Sequence, residues 1–249
     1  MNLHGALNFR DVGGLSAGSD RQIAHRRLLR SDTLQFLTAE DAAFLVDEVG
    51  LRSIIDLRLD YEVQVEGRGV LAEHPVAHHN LPFSVHTTEQ DRAVPILQRD
   101  DPMVPHYLGY LSSTPESVVG VISVIADSDG VPAIIHCAAG KDRTGVAVAL
   151  VLAVAGVSDA DIAAEYAAGA AQVPAVMARL RTMESYGESL DRLPPEANLT
   201  VPETMSRFLV EVRSRYGSVE DFFLARGATQ GQLIAVRDAL TVPVEASPR

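Results

Sequence analysis

Cys137 is the only cysteine in a chain of 249 residues, and Arg143 stands six positions after it. Around them runs His136-Cys137-Ala138-Ala139-Gly140-Lys141-Asp142-Arg143-Thr144-Gly145. The five residues between thiol and guanidinium make a loop able to wrap a phosphate-sized anion, with backbone N–H groups turned inward as a nest. Ala138, Ala139 and Gly140 are small enough for backbone to approach the ligand, and Lys141 and Gly145 complete the expected binding set. Arg143 can grip two phosphate oxygens at once. A helix opening near Thr144 adds its positive N-terminal end. The same field favours the thiolate form of Cys137. A thiolate held there is set for in-line attack on phosphorus, giving a phosphocysteine that water then hydrolyses. Loop amides and Arg143 would hold the equatorial oxygens through both steps. Thr144 is placed to donate a hydrogen bond to the departing sulfur. This chemistry requires neither metal nor cofactor. A lone cysteine is otherwise a small buried hydrophobe, but the Arg-Thr ending of the loop argues against that reading. It also argues against sulfur transfer, which uses a shorter loop at a similar fold edge.

The leaving oxygen needs a proton, and an Asp commonly supplies it. Asp142 lies inside the loop, Asp56 ends an apolar stretch, and Asp100 and Asp101 lie in a polar one. Asp56 also reads as a buried partner for loop amides or an arginine, and Asp100 and Asp101 as solvated loop charges. His136 reads as a hydrogen-bonding support for the loop. His74, His78 and His79 lack the spacing of metal ligands, so no metal site is expected.

The elements that must position the loop follow from the apolar pattern. Val131 to His136 is a strand-length apolar run, and Thr144 to Ala155 a strongly apolar helix. The loop between them therefore falls at the C-terminal edge of a sheet, where open α/β folds bind ligands. Leu51 to Leu57 reads as a second buried strand. Residues 1–35 read as turns and short strands, and Glu40 to Val49 as a helix stopped by Gly50. His74 to Pro105 reads as a long loop with one strand near Ala77–Leu81. Further helices are expected over His106–Ser112, Pro115–Asp127, Gln172–Leu193, Pro202–Tyr216 and Ser218–Arg226, and from Thr229. Ser158 with Asp161, and Thr229 with Gln232, mark helix starts. Alternating strands and helices imply an α/β fold: a central, mostly parallel sheet flanked by helices.

The formal net charge of -12 argues against general nucleic-acid binding, which needs a basic footprint. An anionic substrate must then be attracted locally. No apolar run reaches the ~20 residues of a membrane span, and no secretory signal is evident. A cytoplasmic protein is expected, with unconventional export left open, as is the oligomeric state.

Cys-x5-Arg-Thr resembles the signature of the protein tyrosine phosphatase superfamily. The fuller loop resembles a bacterial branch similar to mycobacterial protein tyrosine phosphatase B. Asn8-Phe9-Arg10-Asp11 with Gly13-Gly14, Leu29-Arg30-Ser31, Ile55-Asp56-Leu57-Arg58 with Glu62, and Tyr216-Gly217-Ser218 extend the likeness over nearly the whole chain. The resemblance implies one tyrosine-phosphatase-like domain over residues 1–249. It implies phosphotyrosine substrates on phosphoproteins, together with phosphoserine, phosphothreonine or phosphoinositides. A small phosphoester phosphatase on the same loop and a non-catalytic phosphate-sensing module are the alternatives. Lys141 is either a contact for extra phosphates, as in phosphoinositide phosphatases, or a reinforcement of the loop's field. Many tyrosine phosphatases carry the acid in Trp-Pro-Asp, but this chain has no Trp; the resemblance favours Asp142. It also implies that residues 172–195 form a helical lid over the site.

Overall fold

The computed structural model describes residues 3–85, 101–187, 190 and 200–244. Its centre is a five-stranded sheet. Strands β4 (Leu28–Ser31), β5 (Ser53–Asp56), β6 (Ala77–Asn80) and β7 (Ala133–His136) run parallel in the order β4-β7-β5-β6, and β1 (Arg10–Asp11) pairs antiparallel with β4. A small antiparallel sheet joins β2 (Ser16–Ala17), β3 (Arg21–Ile23) and β8 (Thr241–Pro243).

The side-chain period of two divides the central strands between two cores. Leu28, Ile55, Ala133 and Ile135 face the larger core, and Leu29, Ile54 and Ile134 the smaller one. Both faces are covered, which is why these strands read as unbroken apolar runs. The smaller core is closed by α1 (Ala39–Ala43), which continues as a π-helical turn over Phe44–Glu48. Thr38 and Asp41 cap it reciprocally, and Gly50, at a φ of 72°, ends the segment.

The larger core receives α3 (Met103–Ser113), α4 (Pro115–Ala126), α5 (Asp142–Ala155), α6 (Asp159–Ala167), α8 (Pro202–Tyr216), α9 (Val219–Leu224) and α10 (Gln230–Leu240). Helix α5 is enclosed along almost its whole length, so it is apolar all round. No single helix among the described residues is long and apolar enough to cross a membrane.

Three expectations need correction. Helix α3 begins at Met103 rather than His106, because Asp101 accepts a hydrogen bond from the Met103 N–H at 3.1 Å and so opens the helix early. Helix α5 begins at Asp142 rather than Thr144, which brings Asp142 and Arg143 into its first turn. The helix expected over Gln172–Leu193 is only α7, Val173–Leu180, after a 3-10 turn at Ala170–Gln172. Beyond it the chain turns repeatedly, and both the backbone N–H and the hydroxyl of Ser185 donate to Glu66 Oε1 at 2.7 Å. That anchor draws the chain off the helix axis although its apolar spacing continues. Residues 86–100 and 191–199 lie outside the described set, so the long polar loop and the end of the expected helix fall partly there.

Candidate active site

Strand β7 lies between β4 and β5, and the chain leaving it at His136 enters the loop at the C-terminal edge of the sheet. The neighbouring strand ends hold the loop's base. Leu57 N–H donates to His136 O at 2.9 Å, and Thr33 N–H to Ala138 O at 3.0 Å. Gly140 takes a φ of 64°, and a β-carbon there would collide with the backbone of Ser31. Glycine is thus required both for the left-handed turn and for the close approach of β4.

Cys137 is buried, and its Sγ accepts the Gly140 N–H at 3.2 Å. The loop amide therefore already points at the sulfur. Arg143 is locked in place: Nη1 donates to Glu62 Oε2 at 2.6 Å and to Leu57 O at 3.3 Å, and Nη2 donates to Glu62 Oε1 at 3.0 Å and to the Tyr186 hydroxyl at 2.6 Å. Burial works against its charge, but the Cys137 sulfur and Glu62 outweigh burial and hold the guanidinium pKa above its ordinary value. Glu62 lies on α2 (Asp60–Glu66) and also accepts the Leu59 N–H at 2.7 Å. It is 81 positions from Arg143, and nothing in its spacing marked it as the partner.

Asp142, in the first turn of α5, accepts a hydrogen bond from the Tyr107 hydroxyl at 2.6 Å, and Tyr107 in turn meets the Tyr166 hydroxyl at 2.7 Å. Burial, and then Asp142, push Tyr107 well above the ordinary tyrosine range, so it stays a neutral donor. Lys141 is buried with Nζ 3.4 Å from Asp142 Oδ1. Thr144 Oγ1 is buried with no hydrogen-bond partner among the described residues. Gly145, expected to bind ligand, lies inside α5, where a β-carbon would meet the Tyr166 ring at 2.8 Å; its smallness serves packing.

Asp56 takes the second of its two readings, a buried partner for an arginine. It is fully buried and bound to Arg58 through Nη2 at 2.6 Å and Nε at 2.9 Å, with His78 Nε2 at 3.3 Å. Burial opposes its charge, but its cationic and hydrogen-bonding neighbours hold the carboxyl well below the carboxylate range, which leaves no proton to give. Asp101 is likewise occupied, accepting from the Thr204 hydroxyl at 2.7 Å as well as from Met103. Asp100 lies outside the described residues. His136 Nδ1 donates to Cys137 O at 3.2 Å, and burial pushes the imidazole down to about 4. It is therefore neutral at neutral pH, with its Nε2 3.5 Å from Asp56 Oδ2, while Arg58 makes the shorter contact with that carboxylate. Among the described residues no cluster of His, Cys, Asp and Glu could hold a metal ion.

Within residues 173–187, and at Leu190, apolar side chains meet the loop at Ala138. Val176, Leu180, Met183 and Leu190 pack with Ala138, and Met177 and Tyr186 adjoin them. Arg179 fixes this segment to the body by donating to Asp32 Oδ2 at 2.9 Å and to Gly5 O at 2.7 Å.

A parallel α/β sheet ending in a Cys-x5-Arg loop, with the amide on the sulfur and the arginine held ready, defines a phosphatase of the cysteine type. The chain belongs to the tyrosine phosphatase family, whose model matches residues 1–242. It is 29% identical over 244 residues to a protein named as a tyrosine-protein phosphatase in Cupriavidus necator, covering 95% of this chain and 82% of that one. It is 28% identical over 242 residues to the triple specificity protein phosphatase PtpB of Mycobacterium tuberculosis, covering 86% of this chain and 84% of that one. Among solved structures, the Siw14 catalytic core aligns at a TM-score of 0.41 and 19% identity, over 68% of this chain and 79% of that one. The Saccharomyces cerevisiae PP-IP phosphatase SIW14 core with citrate aligns at 0.38 and 20%, over 65% and 75%. At these TM-scores neither likeness bears on the fold or activity of the chain.

Glu62→Gln replaces one carboxylate oxygen with an amide donor facing the Arg143 fork. Removing one charge from a buried pair leaves the other uncompensated. kcat/KM for a phosphate ester should fall about 100-fold, with a weaker grip on inorganic phosphate. Unchanged kinetics would show that Arg143 does not depend on Glu62.

Burial gives His136 a folded pKa of about 4 against 6.5 in the open chain. Between those values the unfolded chain holds a proton that the folded one does not, so stability must fall as pH drops through that window. His79 and His106, also lowered chiefly by burial, act in the same direction. Denaturant titrations from pH 7 to 4 should show this loss, with a shallower slope in His136→Asn. An identical slope in the variant would contradict the assignment.

Proposed function

We propose that this chain hydrolyses phosphotyrosine through a phosphocysteine on Cys137. The observation that carries the reading is the Gly140 N–H resting on Cys137 Sγ, within the same loop as an arginine preset by Glu62. Arg143 and the loop amides hold the phosphoryl oxygens while sulfur attacks phosphorus in line and the tyrosine oxygen leaves. Asp142 gives that oxygen its proton. It sits beside Arg143, partly exposed, with one carboxylate oxygen steadied by Tyr107. Asp142 then takes a proton from water as that water displaces the sulfur. The Thr144 hydroxyl, without a hydrogen-bond partner among the described residues, donates to the sulfur as it departs. Lys141, buried at the loop's end, supports a second reading in which phosphoinositides, with phosphates beyond the one cleaved, are also accepted. Phosphoserine and phosphothreonine fall within the same chemistry. The segment Val173 to Leu190 serves as a lid, since its apolar residues sit on Ala138 and its Tyr186 hydroxyl occupies Arg143.

A substrate panel with chelator present tests these assignments together. Phosphotyrosine peptides, phosphoserine peptides and phosphoinositides should be turned over by the unaltered chain and by none of the Cys137→Ser preparations. Asp142→Asn should lose about 100-fold or more on phosphotyrosine, and far less on an ester whose leaving group needs no proton. Deleting residues 174–192 should raise turnover of bulky substrates. Activity surviving in Cys137→Ser removes the mechanism. Equal losses on both leaving groups remove Asp142 as the acid, and unchanged kinetics on deletion in a folded protein remove the lid.

A further inference from the structure

Asn8-Phe9-Arg10-Asp11 and Leu29-Arg30-Ser31 have no part in the chemistry described above, yet both stand against the outside of the phosphate loop. Asn8 Nδ2 donates to Gly140 O at 3.0 Å and to Ala139 O at 3.3 Å. Arg30 Nη2 donates to Gly140 O at 2.8 Å. Both residues are buried, Arg30 to 1% exposure. Arg10 and Arg30 are directly paired across β1 and β4, and one carboxylate, Glu165, joins them: Arg10 Nε to Oε1 at 2.7 Å and Arg30 Nη1 to Oε2 at 2.6 Å. Arg10 Nη1 also donates to Asn8 Oδ1 at 2.7 Å, which fixes the amide so that its NH2 faces the loop.

The consequence follows from peptide geometry. In a planar trans peptide the C=O and the next N–H point in opposite directions. Thr33 N–H draws Ala138 O outward, Asn8 draws Ala139 O, and Asn8 with Arg30 draws Gly140 O. Three consecutive amides, those of Ala139, Gly140 and Lys141, are therefore turned toward the inner side. For the middle one the result is directly visible, since Gly140 N–H lies on Cys137 Sγ at 3.2 Å. Burying Arg30 is costly unless it finds charge and hydrogen-bond partners. Here Glu165 and Gly140 O supply them, and the less buried Arg10 shares Glu165.

We propose that Asn8 and Arg30, steadied by Arg10 and Glu165, are positioning residues that set the anion-binding amides of the loop by capturing its carbonyls from outside. They act through the loop backbone. The proposal rests on the phosphatase reading for its ligand, but the bracing of Cys137 is measurable without turnover.

The test compares Asn8→Ala and Arg30→Met with the unaltered chain in three measurements: inhibition by orthovanadate, kcat/KM on a phosphate ester, and the pH profile of iodoacetamide alkylation. Cys137 is the sole cysteine, so alkylation reports on it alone. Each variant should weaken orthovanadate inhibition about tenfold or more and move the alkylation profile to higher pH. Arg30→Lys, which can reach one partner but not span two, should recover part of the loss. Val236→Ala, in the core of α10, should lower the melting temperature with vanadate inhibition unchanged. If Arg30→Met does not fold, Asn8→Ala decides the matter. Folded variants with unaltered vanadate inhibition and an unaltered alkylation profile overturn the proposal. If instead the unaltered chain neither hydrolyses esters nor binds vanadate, the phosphatase reading fails, and the alkylation profiles still decide whether the brace acts on Cys137.

Discussion

In the proposed reading Arg143 grips an incoming dianion, and in this fold Glu62 holds that guanidinium in one place. The carboxylate takes two of the arginine's N–H groups, and Leu57 O and the Tyr186 hydroxyl take others. Glu62 is buried and Arg143 largely so, and the geometry is enforced by the cost of leaving either charge alone. The same Glu62 also caps helix α2 by accepting the Leu59 N–H at the helix start. Placement of α2 follows from β5, whose end supplies both Leu57 and the buried Asp56–Arg58 pair.

Around this pair, opposite charge is arranged in short closed units. Asp56 answers Arg58, Glu165 answers Arg10 and Arg30, Asp32 answers Arg179, and Glu62 answers Arg143. In a chain of net charge -12 each of these arginines thus has a carboxylate partner. The local field at the helix terminus and loop amides does the attracting, because the field of the whole molecule would repel a phosphate ester.

The loop and the layers around it were legible in the sequence because their signals are local. Cys-x5-Arg is a contiguous string, β7 and α5 are unbroken apolar runs, and the caps at Thr38, Ser158 and Thr229 each lie within four residues. What escaped notice depends on pairings between distant segments. Glu62 stands in the sequence only as part of a family likeness, with nothing to pair it with Arg143. Tyr107 and Tyr166, which carry the hydrogen bonds that reach Asp142, have no signal in the sequence linking them to the loop. Asp56 drew attention by its place at a strand end, where only the fold reveals that Arg58 already holds it. The segment after Leu180 kept a helical spacing of apolar residues, but Ser185 is tied to Glu66 and the backbone turns instead. Asn8 and Arg30 were visible only as part of a family likeness; their contacts with loop carbonyls cross 132 and 110 positions.

The central claim is covalent: the phosphoryl group passes through the sulfur of Cys137. Rapid acid quenching of the unaltered protein during turnover of a phosphotyrosine peptide, followed by mass analysis of the peptide containing residue 137, tests it most directly. The account predicts a phosphoryl group on Cys137 that forms and decays at rates matching turnover. Full turnover with no phosphoryl group on that residue at any quench time, under conditions that preserve phosphocysteine, would contradict it.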